Sequence, residues 1–289
     1  MPAIRAYLLH LTHYDPSWMR QKAREKPFDL KTALLALDAM HAAGMNTLVI
    51  DIKDGVRYAR HPELRRRYSA PMSQLRKICA RARELRIDVV PKLNFSKSAR
   101  NHHDEWMQPH DNRENWTQGL DAYFKVAHEV IGELVRVCRP GRYFHLGMDE
   151  DHSRSLSQYV RDTKRLATMV RMRGLKPVIW NDSCYENRDV MAQVHADKNA
   201  QAEPLLSKSM VQIPWDYDFA FPQIIRRLRR RKYEVWVAAG RDEKNVRNWK
   251  KAADAEGARG ILLTRWVKCS KANRAGILSQ ILKCGPLLR

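Results

Sequence analysis

No apolar run in this sequence approaches the roughly 20 residues needed to cross a bilayer, so a membrane-spanning helix is excluded. Cysteine is sparse. The five (Cys79, Cys138, Cys184, Cys269, Cys284) are scattered and odd in number, with no C-x-x-C, which argues against a disulfide framework and a zinc site alike. They read as inert, buried thiols in a reducing, cytoplasmic compartment. The first apolar stretch, Ala6 to Leu11, is too short for a signal h-region, and no secretory signal is expected. With 12 Gly and 13 Pro, collagen-like and low-complexity classes are excluded too. There is no G-x-x-x-x-G-K-[ST] loop, no zinc finger and no RNP aromatic set. His10, His13, His102 and His103 fall near strand ends or loops, but nothing like H-E-x-x-H spaces them, so neither a metal nor another cofactor is expected.

Acids are also scarce. The 289 residues hold 32 Asp plus Glu against 53 Lys plus Arg, a formal net charge of +21. Such a field attracts polyanions, and an anionic partner or substrate is expected from it. The densest runs are Arg65-Arg66-Arg67 and Arg226-Arg227-Leu228-Arg229-Arg230-Arg231-Lys232. Each run by itself reads as a solvated outer helix face, since Arg is a good helix former.

What is present is alternation. Short apolar runs occur at Ala6–Leu11, Asn46–Ile52, Asp88–Leu93, Arg142–Gly147, Pro177–Trp180, Met210–Trp215, Glu234–Ala238 and Gly260–Thr264. Several are apolar at nearly every position, as expected of parallel strands covered on both faces. Between them lie helical-period segments, such as Leu30, Leu34, Leu37 and His41 ending at Gly44, and Leu156, Val160, Leu166 and Val170 before Gly174. Later helices are expected over Ile224–Arg231, Asn245–Glu256 and Asn273–Leu282. Eight strand–helix units at this length fit a (β/α)8 TIM barrel forming one domain over residues 1–289.

In such a barrel the site lies at the C-terminal strand ends. Those ends carry His10, Asp51, Asn94, His145, Asp149, Glu150, Trp180, Asp182, Trp215, Tyr217, Trp236 and Trp266. Any one tryptophan reads as core, but four at equivalent ends point to a lined pocket of the kind that stacks on sugar rings. Asp149 and Glu150 end an apolar strand. Adjacent carboxylates disfavour ionising together, which raises the pKa of one and suits it to general acid work. Neighbours on a regular strand point to opposite faces, so both reach one pocket only if the strand end twists or bulges. The same acids, with Asp151, equally suit the N-terminus of a helix starting near Ser153.

Tyr143-Phe144-His145-Leu146-Gly147-Met148-Asp149-Glu150 resembles the H-x-G-G-D-E motif of family 20 glycoside hydrolases, the β-N-acetylhexosaminidases. His10-Leu11-Thr12 with Trp18-Met19-Arg20 is similar to that family's first-strand motif, and Lys176 to Asp182 to its fifth-strand motif. The resemblance is nearest to the single-domain, hexosaminidase D-like branch and covers residues 5 to 182 best. It implies a retaining, substrate-assisted hydrolase acting on an amino-sugar glycan and releasing terminal N-acetylglucosamine or N-acetylgalactosamine. Carried over, Glu150 is the acid/base and Asp149 the partner of the 2-acetamido group. Trp215, Trp236 and Trp266 become the ring and acetamide walls, with Tyr217 a donor to the acetamide oxygen. The departures are Met148 for the second Gly, Asn94-Phe95-Ser96-Lys97 where the family has Gly-His, and Trp266-Val267-Lys268 where it has W-x-E. They motivate an alternative expectation: a catalytically impaired barrel that binds an anionic glycan or nucleic acid.

Overall fold

A computed structural model describes residues 3–12, 25–97, 105–107, 120–184 and 190–289. Eight parallel strands close a barrel in chain order: β1 (Ile4–His10), β2 (Thr47–Asp51), β3 (Asp88–Lys92), β4 (Tyr143–His145), β5 (Lys176–Asn181), β6 (Val211–Pro214), β7 (Glu234–Ala239) and β8 (Gly260–Leu263). A helix follows each strand. These are α1 (Leu30–Ala42), α2 (Met72–Glu84), α3 (Leu120–Cys138), α4 (Leu156–Arg171), α5 (Val190–Ala202), α6 (Pro222–Arg230), α7 (Glu243–Glu256) and α8 (Arg274–Cys284). The expected (β/α)8 barrel is therefore observed.

The continuous apolar runs make two cores at once. Along a strand successive side chains take opposite faces. Val49 accordingly packs inside the barrel with Ala6, Leu8, Val90 and Val178, while Leu48 and Ile50 pack outward under the helices. Helix ends follow local chemistry. Asp29 caps α1 by accepting from Thr32 N at 2.7 Å. Ser155 and Gln158 form a reciprocal capping box on α4.

Sequence patterning gave no sign of α5. VMAQVHADKNAQA has no apolar stripe, and the helix is instead held through buried polar groups. Lys198 Nζ donates to Asp151 Oδ1 at 3.2 Å and Arg154 O at 2.9 Å. Asn199 Nδ2 donates to Asp182 Oδ2 at 3.3 Å.

One expectation fails on register. Trp236 is not at a strand mouth. It is the third residue of β7, opposite Gly260 at the start of β8, with Ala239 still ahead of it. At about 3.3 Å per residue it sits roughly 10 Å below the C-terminal end. Its indole Nε1 donates to Glu234 Oε1 at 3.2 Å, and its ring stands edge-on to Tyr143, centroids 4.8 Å apart. Glu234 also accepts from Tyr143 Oη at 2.7 Å and Lys176 Nζ at 2.8 Å, so these groups plug the barrel floor.

Candidate active site

One row of polar side chains crosses the barrel interior at its C-terminal end. His10, Asp51, Lys92 and His145 are successive register partners on β1 to β4. All four are buried. His10 Nδ1 lies 2.9 Å from Asp51 Oδ2, which also receives Lys92 Nζ at 3.0 Å and has Lys53 Nζ at 3.4 Å. Burial raises the Asp51 pKa, but the Lys53 and Lys92 charges and the His10 hydrogen bond outweigh it and hold the carboxyl well below its usual range. The ionised acid fixes His10 as an Nδ1–H tautomer, and burial keeps that ring neutral. Burial and the nearby Lys92 charge push His145 far below its ordinary value. Its Nδ1 accepts from Gly147 N at 3.0 Å, so the neutral ring carries its proton on Nε2.

The second half of the barrel supplies aromatic faces. His145 is followed round the ring by Trp180 on β5, with centroids 4.8 Å apart. Trp180 lies 6.5 Å from Trp215 and 6.0 Å from Trp266, and those two are 6.4 Å apart. Trp266 also stands 5.2 Å from His10, which closes the circuit. Tyr217 Oη accepts from Trp266 Nε1 at 2.7 Å. The mouth thus divides into a charged side from β1 to β4 and an aromatic side from β5 and the loops after β6 and β8.

Asp149 and Glu150 sit where the two sides meet. β4 ends early, at His145, because the chain then turns sharply. Gly147, Met148 and Glu150 have φ of 74°, 76° and 48°. Only this irregular backbone lets adjacent acids serve one site. Gly147 is obligatory: a Cβ there would lie 2.2 Å from Asn94 Oδ1. Met148 adopts the same conformation with a side chain, a strained choice for a non-glycine residue. Asn94 spans the turn. Its Nδ2 donates to Asp149 Oδ1 at 2.8 Å, and its Oδ1 accepts from Met148 N at 3.2 Å. Asn94, which stands where the resemblance has Gly-His, therefore holds Asp149 and the Met148 backbone in place.

Neither acid caps a helix. α4 starts at Leu156 and is capped by Ser155. Asp151 is the acid tied to that turn, accepting from Lys97 N at 2.7 Å and Arg154 N at 3.1 Å. Glu150 is half-buried, and its backbone N donates to Asp182 Oδ2 at 2.8 Å. Asp182 Oδ1 accepts from Trp215 Nε1 at 2.9 Å. Burial, then the charge of Asp149, push the Asp182 carboxyl up to about 8, with Glu150 adding to the rise and the backbone bond from Glu150 opposing it. Burial holds the Tyr217 phenol protonated, and Asp149 and Glu150 both add to that, which puts both acids within electrostatic reach of one hydroxyl.

Nine of the ten expected binding residues gather at the mouth with Asp149 and Glu150; Trp236 is the exception. Lys268, in the W-x-Lys segment, is ion-paired with Glu25. Trp106 packs edge-on to Phe95 and donates from Nε1 to Asn94 O at 2.6 Å, a clamp on the loop after β3. His13, Asp15, Trp18, Met19, Arg20, His102, His103 and Asp104 lie outside the described residues. Asn199 and Tyr159 were missed by sequence reasoning. Tyr159 Oη donates to Met148 O at 3.3 Å and buttresses the strained turn, but no motif marks either residue. Among the described residues no cluster of His, Cys, Asp or Glu could hold a metal, and no helix is long and apolar enough to cross a membrane.

No family model matches the sequence, and neither does any curated protein. Solved structures do match in shape. The Streptomyces plicatus N-acetyl-β-hexosaminidase in complex with Thio-NAglucal superposes with a TM-score of 0.70 at 15% identity, over 99% of this chain and 64% of that one. The Streptomyces coelicolor A3(2) GH20 β-N-acetylhexosaminidase gives 0.69 at 17%, over 99% and 64%. The Vibrio harveyi GH20 exo β-N-acetylglucosaminidase gives 0.68 at 12%, over 99% and 54%. The chain thus spans a little over half to about two thirds of the length of these proteins, and what it shares with them is their barrel fold.

Proposed function

We propose that this protein is a glycoside hydrolase of the β-N-acetylhexosaminidase kind, retaining and substrate-assisted, releasing terminal N-acetylglucosamine or N-acetylgalactosamine. The observation that carries the reading is the Asp149–Glu150 turn, braced by Asn94 and Asp182, beside a cage of Trp180, Trp215, Trp266 and Tyr217. The solved proteins that share the barrel bear hexosaminidase names.

The chemistry follows from the groups. The apolar face of the sugar packs on the indoles. Glu150, the more accessible acid, protonates the leaving glycosidic oxygen. The substrate's own acetamide oxygen attacks the anomeric carbon, and Asp149 accepts the acetamide N–H and stabilises the positive charge that develops there. Tyr217 accepts from Trp266 and keeps its own proton to donate to the acetamide oxygen. Glu150, now ionised, takes a proton from the water that opens the oxazolinium ring, and the anomeric configuration is retained. This is one of the exceptions to the two-carboxylate scheme of most glycosidases. Lys268, neutralised by Glu25, replaces the carboxylate that the resemblance implies for sugar hydroxyls. The five free, buried cysteines fit a reducing, cytoplasmic setting, where we place the activity.

Release of aryl N-acetyl-hexosaminides by wild type and by Glu150→Gln tests the assignment. The variant should lose roughly 10²-fold or more in kcat. Equal rates would remove Glu150 from the mechanism.

A further inference from the structure

The basic runs that dominate the sequence are partly paired within the fold. Arg226 pairs with Glu256, Arg227 and Arg231 share Glu203, and Arg66 reaches Asp54. A further concentration of unpaired charge is gathered from three segments that no sequence window joins. Arg60 from the β2–α2 connection, Arg76 and Arg83 from α2, and Arg136 and Arg139 from the end of α3 line one cleft of about 500 Å³ on the outside of the barrel. Arg76 and Arg83 are seven residues apart, two helical turns along one face. None of the five guanidiniums has an ion pair among the described residues. The one acid in the cleft, Glu133, is buried and accepts the Ala59 backbone N–H at 3.0 and 3.2 Å. The field is felt nearby: burial and then the Arg136 charge lower the pKa of Arg173.

We infer that this cleft is a binding site for a small, multiply phosphorylated ligand, separate from the barrel mouth. Five converging guanidiniums set against one buried carboxylate repel one another, and entry of anionic charge relieves that repulsion. Each guanidinium is a planar fork that matches two phosphoryl oxygens at once. The volume is several times what a single orthophosphate fills and lies within the range of small-molecule sites. The ligand therefore carries at least two phosphoryl groups. It owes nothing to the chemistry proposed for Glu150 and stands or falls apart from it.

Inorganic tripolyphosphate, titrated calorimetrically against the full chain at about 0.15 M salt, is the probe, because that salt screens diffuse surface attraction. Wild type should bind it at least tenfold more tightly than orthophosphate. Arg76→Ala with Arg136→Ala should weaken binding tenfold or more. Arg76→Lys with Arg136→Lys keeps the charge but loses the forks, and should still weaken it severalfold. Arg230→Ala with Lys251→Ala removes two exposed charges on α6 and α7 and should change affinity less than twofold. Equal losses in the two alanine pairs would replace the site with a diffuse field and overturn the inference. So would the absence of tripolyphosphate binding, or binding of a single-stranded oligonucleotide alone.

Discussion

Asp182 illustrates how a single residue ties the site to pH. Its carboxyl is buried and faces Asp149 and Glu150, and it titrates near 8 when folded, against an ordinary value of 3.8. Between those values the folded protein holds a proton that the unfolded chain has released, so stability falls as pH rises from about 4 to about 8. Asp182→Asn cannot ionise. Its stability relative to wild type should therefore climb across that window, as urea melts at several pH values would show; a pH-independent difference would contradict the assignment. Asp149 makes a different prediction. On the proposed mechanism, Asp149→Asn keeps shape and loses the charge opposite a cation that exists only in the transition state and intermediate, so kcat should fall more than KM. Substrates lacking the 2-acetamido group should be slowed far less. Equal slowing of both substrate types would give Asp149 another role.

Among the elements, β4 and β7 mark what was and was not legible. All eight strands could be read from apolar runs, with ends correct to within three residues, because strands buried on both faces leave an uninterrupted signature. The helices with apolar stripes were equally visible. α5 was not, since it is fastened by Lys198 and Asn199 to partners distant in sequence. The acid pair was legible as composition, but its geometry was not. Three positive φ angles after β4 turn it into one site, and only Gly147 among those residues hints at them. Trp236 was misplaced because an aromatic inside a strand looks the same in sequence at either end of a barrel. Its position makes a prediction for β7. Trp236→Phe should lower stability by about 1–3 kcal/mol, through lost packing and the lost bond to Glu234, with kcat and KM per folded molecule unchanged. A fall in kcat would return Trp236 to the active site.

Across the whole molecule, charge and site are distributed differently from what the sequence suggested. A count of +21 says nothing about which arginines find partners: in the conspicuous Arg226–Lys232 run Arg226, Arg227 and Arg231 are ion-paired, while scattered arginines converge on one cleft. The division of the mouth carries a further consequence. The charged row comes from the first four strands and the indoles from the last four, so neither half of the chain owns a binding site. A half-barrel would expose His10, Asp51, Lys92 and His145 to water and leave its tryptophan cluster without a polar counterpart. The two-sided mouth is thus created by the closure of β8 onto β1 and β4 onto β5, and a species with an open seam should lack the proposed activity. Turnover of the kind proposed would be a direct reporter of ring closure, rising and falling with the population of the completed barrel.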